Sequence, residues 1–138
     1  MAEVRFTNLT KSYGTIPVVS DLNLELPDGS FTVLVGPSGC GKSTSLRMLA
    51  GLESVTSGTI AIGDRDVTHL EPRERDIAMV FQNYALYPHL SVRENISFPL
   101  RASKVPRAEA LARADSVAAS LGLGELMARK PGDLSGGQ

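Results

Sequence analysis

The sequence predicts an α/β fold, with an α/β core followed by a smaller helical region, on three observations. Phe31 to Val35 is a short, nearly continuous apolar run, the pattern of a strand buried on both faces. It leads into a glycine-rich loop, after which Ser43 to Ala50 reads as a helix. Beyond residue 87 the strand-like runs give way to helical patterning.

The 138 residues fit one domain or a large piece of one. At 42% hydrophobic and 21% charged residues, the chain has the balance of an ordinary globular protein. A formal net charge of -1 gives no basic character to argue for a nucleic-acid partner, and no polybasic run argues for a membrane surface. The lone Cys40 can form neither an internal disulfide nor a zinc cage. The N-terminus, Met1-Ala2-Glu3-Val4-Arg5-Phe6, does not read as a signal peptide. No apolar run approaches the roughly 20 residues that span a bilayer, so work at a membrane would require docking on something that spans it.

Taken in order, Val4 and Phe6, with Leu9 as a third apolar position, suggest a half-buried strand, and Leu22, Leu24 and Leu26 alternate in the same way. Asp28-Gly29, between two strand-like runs, is a hairpin signal. Gly51 is placed to cap the first helix. Thr59 to Ile62 is a further strand, and Asp76 to Phe81 another apolar run of the buried kind. Ser91-Val92-Arg93-Glu94 is a capping box. Pro106 to Leu121 reads as a helix, with Leu111, Ala114, Ala118 and Leu121 on one face and Gly122 ending it. The expected division is 1–87 as a core with a β subdomain and 88–138 as a helical subdomain.

Gly36-Pro37-Ser38-Gly39-Cys40-Gly41-Lys42-Ser43, with Thr44 following, fits the phosphate-binding P-loop pattern. Glycines let successive backbone N–H groups turn inward toward phosphate oxygens. Lys42 supplies a charge for the β- and γ-phosphates, and the Ser43 hydroxyl can ligate Mg²⁺. A helix starting here adds the positive end of its dipole. Cys40 reads as a small packing residue within the loop.

The sequence ends Leu134-Ser135-Gly136-Gly137-Gln138, which resembles, without a mismatch, the signature motif of ATP-binding cassette (ABC) ATPases. A GTPase would want an Asn-Lys-x-Asp motif, and no lysine here follows an asparagine. Lys11-Ser12-Tyr13-Gly14 is similar to the loop whose aromatic ring stacks on adenine in that family, and Gln82 to its Q-loop glutamine. Phe81-Gln82-Asn83-Tyr84-Ala85-Leu86-Tyr87-Pro88-His89-Leu90, with Arg75-Asp76-Ile77-Ala78, resembles the ATPase subunits of carbohydrate importers of the maltose and glycerol-phosphate type.

The resemblance implies a P-loop NTPase, ABC-type nucleotide-binding domain, with an N-terminal antiparallel β subdomain and a helical subdomain. It implies ATP and Mg²⁺ as ligands. Tyr13 would stack on the base, with the face of its ring mattering and not its hydroxyl, so that Phe or Trp would serve in its place. Gly36 to Thr44 would hold the phosphates, and Ser43 and Gln82 would contact the metal. Ser135, Gly136, Gly137 and Gln138 would close on the γ-phosphate held by a second, head-to-tail ATPase subunit. Lys42 and Gln82 are the implied catalytic participants. Two transmembrane permease subunits would dock on Gln82 to Leu90, with a periplasmic or extracellular solute-binding protein engaged indirectly. The location implied is peripheral, on the cytoplasmic face of the plasma (inner) membrane.

The family also carries an acidic strand, a catalytic glutamate and a switch histidine downstream of its signature, so the expectation is a cassette incomplete at its C-terminus. Asp64, Asp66 and Asp76 do not take the glutamate's place. Arg73-Glu74-Arg75-Asp76 reads as a solvated connection, and His89 as a surface or interface residue. A non-transport ABC ATPase and a catalytically inactive nucleotide-binding fragment are the alternative readings. The 52 positions between Gln82 and Leu134 hold no long heptad arm, and zinc cysteines are absent, which disfavours the DNA-maintenance types.

Overall fold

A computed structural model of the chain describes residues 2–81 and 84–137. It divides into two compact units, Met1–Met79 and Val80–Gln138.

The first unit contains β1 (Val4–Tyr13), β2 (Ile16–Leu26), α1 (Lys42–Leu49), β3 (Ser57–Ile62) and β4 (Arg65–Asp66). The strands form one antiparallel sheet in the order β2-β1-β3-β4. Val4 faces Leu26 and Phe6 faces Leu24, as alternation predicts. The register then slips, so that Leu9 faces Leu22 and both Phe6 and Leu9 are buried, although three positions apart. Phe6, Leu9, Val19, Ile60 and Val67 form the core with Met48 of α1. Each such side chain contributes roughly 1.5–3 kcal/mol by leaving water, and Met48 thereby seats α1 on the sheet.

Helix α1 ends in a Schellman motif. Gly51 takes φ 73°, its N–H donates to Met48 O at 3.1 Å, and Leu52 N–H donates to Arg47 O at 2.9 Å. The cap expected at Gly51 is therefore present.

Two strand expectations need correction. Phe31 to Val35 and Ile77 to Phe81 are not strands, and Phe31, Val35 and Val80 are 94%, 88% and 93% exposed. An apolar run becomes a strand only when a neighbour takes up its backbone N–H and C=O groups, and among the described residues no strand pairs with either run. Asp28-Gly29 does turn, with Ser30 N–H donating to Pro27 O at 3.2 Å, but it opens no hairpin. The hairpin is β1–β2, closed where Tyr13 faces Ile16.

In the second unit, α2 (Val92–Ala102) and α3 (Arg107–Ser120) pack together. The capping box forms: Ser91 Oγ accepts from Glu94 N–H, and Ser91 N–H donates to Glu94 at 2.9 Å. The buried face of α3 is Ala110, Ala114 and Ala118, a seam of small residues one helical turn apart. Leu121, expected on that face, is exposed, and Pro106 caps α3 from outside its first turn. Arg93 Nε donates to Asp115 at 2.7 Å and ties α2 to α3. No helix among the described residues is long and apolar enough to cross a membrane.

Candidate functional site

The loop expected to hold phosphate runs from 36 into α1. Its last turn residue, Gly41, is the N-cap of α1 in the left-handed region, at φ 90°. A Cβ there would lie 2.8 Å from both Val18 O and Val19 Cγ2 of β2, so the sheet abuts the loop where it becomes helix. Only glycine satisfies both the backbone angle and the space. No side chain caps α1, so its first N–H groups keep no side-chain partner there.

Lys42 folds back over its own loop. Its Nζ donates to Gly36 O and Pro37 O, both at 2.7 Å, and lies 3.3 Å from Cys40 Sγ. The loop closes on itself through Cys40 N–H to Pro37 O at 3.4 Å. Cys40 is exposed, not packed away. Ser43 is the second residue of the helix and exposed, and Thr44 is half-buried. A cation, a hydroxyl and a helix start without a side-chain cap are gathered on nine residues, groups of the kind that can hold a phosphate chain with its counter-ion. A single hydroxyl suits Mg²⁺, which keeps several water and phosphate ligands.

Tyr13 ends β1 and is 49% exposed. Its hydroxyl donates to Glu53 Oε2 at 2.7 Å, and the Lys11 Nζ stands 4.7 Å from its ring centroid. Glu53 holds the Tyr13 hydroxyl's pKa above its ordinary value, because the proton it would lose makes that hydrogen bond. Lys11, and then the Tyr13 hydroxyl, hold the Glu53 carboxyl below its own ordinary value.

Arg75 is buried, 5% exposed, which corrects the reading of residues 73–76 as solvated. Its guanidinium donates to Met48 O at 2.7 Å, Leu49 O at 2.9 Å, Leu70 O at 2.9 Å and Thr68 O at 3.2 Å. Two of those carbonyls belong to the last turn of α1. Burial lowers the Arg75 pKa, and the Glu71 carboxylate offsets only part of that.

In the second unit Ser135 and Gly136 line a groove with Val80, Tyr84, Leu86 and Leu134. The approach segment 87–91 is held by Asn95, whose Oδ1 accepts from Tyr87 N–H at 2.8 Å and whose Nδ2 donates to Tyr87 O, Leu90 O and Ser91 O. Tyr84, Ala85, Leu86, Tyr87 and His89 are exposed, and His89 meets the Tyr87 ring edge-on. The description of ABC transporters as a family matches residues 19–138, a stretch that holds both the phosphate loop and the signature. The chain belongs to the ABC transporter family.

This ABC chain is 58% identical over 139 residues to the sn-glycerol-3-phosphate import ATP-binding protein UgpC of Bordetella avium, covering 100% of the chain and 38% of that protein. It is 58% identical to the sulfoquinovosyl glycerol transport ATP-binding protein SmoE of Agrobacterium fabrum, covering 100% and 38%. It is 59% identical to the diacetylchitobiose uptake system ATP-binding protein MsiK of Streptomyces coelicolor, covering 100% and 37%. A solved ATP-binding cassette of an ABC transporter shares the fold with a TM-score of 0.85 at 27% identity, covering 100% of this chain and 61% of that one. The chain thus spans under two fifths of the length of these three curated relatives.

Within this ABC cassette, Tyr13 and residues 36–44 belong to the first unit, and Ser135, Gly136 and Gly137 to the second. Gln82 and Gln138 lie outside the described residues. Sequence reasoning missed Lys11, Glu53, Arg75 and Asn95. Their roles rest on partners 4 to 43 positions away, for which a single sequence carries no signal.

Proposed function

We propose that this chain is the nucleotide-binding part of an ATPase subunit that drives solute import, with sugars and related carbohydrates as the solutes. The observation carrying this reading is the match over the whole chain to import ATP-binding proteins, with the phosphate loop and signature both in place. In this reading Gly36 to Thr44 hold the phosphates of ATP. Lys42 exchanges the Gly36 and Pro37 carbonyls for phosphate oxygens, which costs little because those carbonyls are open to water. Ser43 and Gln82 hold Mg²⁺, which neutralises phosphate charge when bound. The Tyr13 ring stacks on the base.

Ser135, Gly136, Gly137 and Gln138 complete the nucleotide site of a second, head-to-tail subunit. Phosphoryl transfer depends on positioning and charge, so a site split between two subunits links hydrolysis to their closure. Gln82 to Leu90 docks on two transmembrane permease subunits, which bring the protein to the cytoplasmic face of the membrane. A solute-binding protein outside the membrane acts through those permeases.

The test is reconstitution of the full-length protein with its permeases in vesicles, with ATP inside and sn-glycerol 3-phosphate or a disaccharide outside. ATP-dependent uptake of either solute, lost with Lys42→Ala, is expected. ATP hydrolysis stimulated by nucleic acid and uncoupled from any solute would overturn the importer reading.

A further inference from the structure

Two side chains at the end of β1, Lys11 and Tyr13, and Glu53, 40 positions beyond Tyr13, form one closed clamp. Lys11 is 5% exposed, deeper than its neighbours in the strand end. Its Nζ donates to Glu53 Oε1 at 2.8 Å, Ser54 O at 2.8 Å and Ser54 Oγ at 3.1 Å, which uses all three ammonium protons. The other Glu53 oxygen accepts the Tyr13 hydroxyl at 2.7 Å. Lys11 Nζ also stands 4.7 Å from the Tyr13 ring centroid. The ring is therefore held at its hydroxyl end and against the ammonium, while about half of Tyr13 stays open to solvent.

The clamp reaches the phosphate loop through one short helix. Glu53 and Ser54 follow the Schellman turn of α1, and the other end of α1 is Lys42. Eight helical residues span about 12 Å. Met48 in the core and Arg75 on the last carbonyls fix α1 in place. The position of the ring is thereby referred to the same rigid element as the phosphate-binding loop.

We infer that Lys11 and Glu53 are positioning residues that hold the Tyr13 ring ready for the base of the nucleotide, and that the Tyr13 hydroxyl is part of the device. The inference rests on the reading of Tyr13 as the base-stacking residue. A ring already ordered loses less rotamer freedom on binding, and the gain falls on the base part of the ligand alone. Tyr13→Phe is therefore not neutral, contrary to the expectation that only the ring face matters.

The experiment measures binding of Mg-ATP and of inorganic tripolyphosphate to the full-length protein. Tripolyphosphate carries the phosphate chain without a base. Tyr13→Phe and Glu53→Ala should each weaken ATP by roughly 3- to 10-fold and leave tripolyphosphate unchanged. The double variant should be no weaker than the worse single, because both changes open one clamp. Tyr13→Ala serves as the reference, with a larger loss for ATP and none for tripolyphosphate. Wild-type ATP affinity in both single variants, or a parallel loss for both probes, would overturn the clamp while Tyr13→Ala still discriminates. If Tyr13→Ala itself binds both probes as the wild type does, the stacking reading fails first and takes the clamp with it.

Discussion

At Lys42 the ammonium sits 2.7 Å from two carbonyl oxygens of its own loop, and it is the only cation between residues 36 and 44. Lys42→Ala in the full-length protein should abolish turnover and weaken ATP binding by several kcal/mol, on the order of a lost charge pair. Steady-state phosphate release checks this, and unchanged turnover would remove the phosphate loop from the mechanism. The Lys11–Glu53–Tyr13 clamp has its own signature in pH. The Glu53 pKa is lowered on folding, so its contribution is present above the ordinary carboxylate range and is lost as pH falls through the lowered value. The Tyr13 pKa is raised, so its contribution is present below the ordinary phenol range, near about 10, and is lost as pH rises through the raised value. Thermal melts of Glu53→Gln should show a shallower loss of stability on the acid side than the wild type. Identical acid limbs would show that the carboxylate charge is not used.

At the scale of elements, α1 is held at both ends by residues outside itself. The sheet meets Gly41 at its start, and Arg75 donates to Met48 O and Leu49 O at its finish. Arg75→Met keeps the aliphatic stem but removes all four of its donations, with Met48 O keeping the Gly51 N–H. A destabilisation of roughly 2–4 kcal/mol is expected, read as a drop in denaturant midpoint at constant m-value. Arg75→Lys should recover only part, since one ammonium cannot span four carbonyls spread over two segments. In the helical unit the close approach of α3 depends on Ala110, Ala114 and Ala118. Ala114→Leu inserts a bulky side chain into a fully buried seam and should cost about 1–3 kcal/mol. The matching change at the exposed Val117, Val117→Leu, should be near neutral, and equal melting temperatures for the two would contradict the packing.

For the whole molecule, the apolar segments 31–35 and 77–81 stand largely unburied. A pocket of about 190 Å³ beside the loop is lined by Phe6, Leu24, Leu34, Leu46 and Cys40, so part of the apolar face of the β1–β2 hairpin is also under-filled. Exposed apolar runs of this kind favour association and dye binding. The 138-residue chain alone should bind a hydrophobic dye strongly and aggregate at micromolar concentration, and the full-length protein should do neither.

The sequence by itself determined what is encoded locally. The glycine-rich turn that starts α1, the glycine cap at Gly51, the capping box at Ser91 and Glu94, and the alternation of β1 and β2 all depend on neighbours within a few positions. Their physics is steric and short-ranged, so residue types at fixed spacing suffice. Only the tertiary structure decided the rest. Arg75 is charged and looks solvated until four carbonyls from two segments converge on it. The Tyr13 hydroxyl looks dispensable until Glu53, 40 positions away, is beside it. Phe31 to Val35 reads as a buried strand, yet a strand is a relation between two chain segments, and its hydrogen bonds belong to a partner that no local pattern supplies.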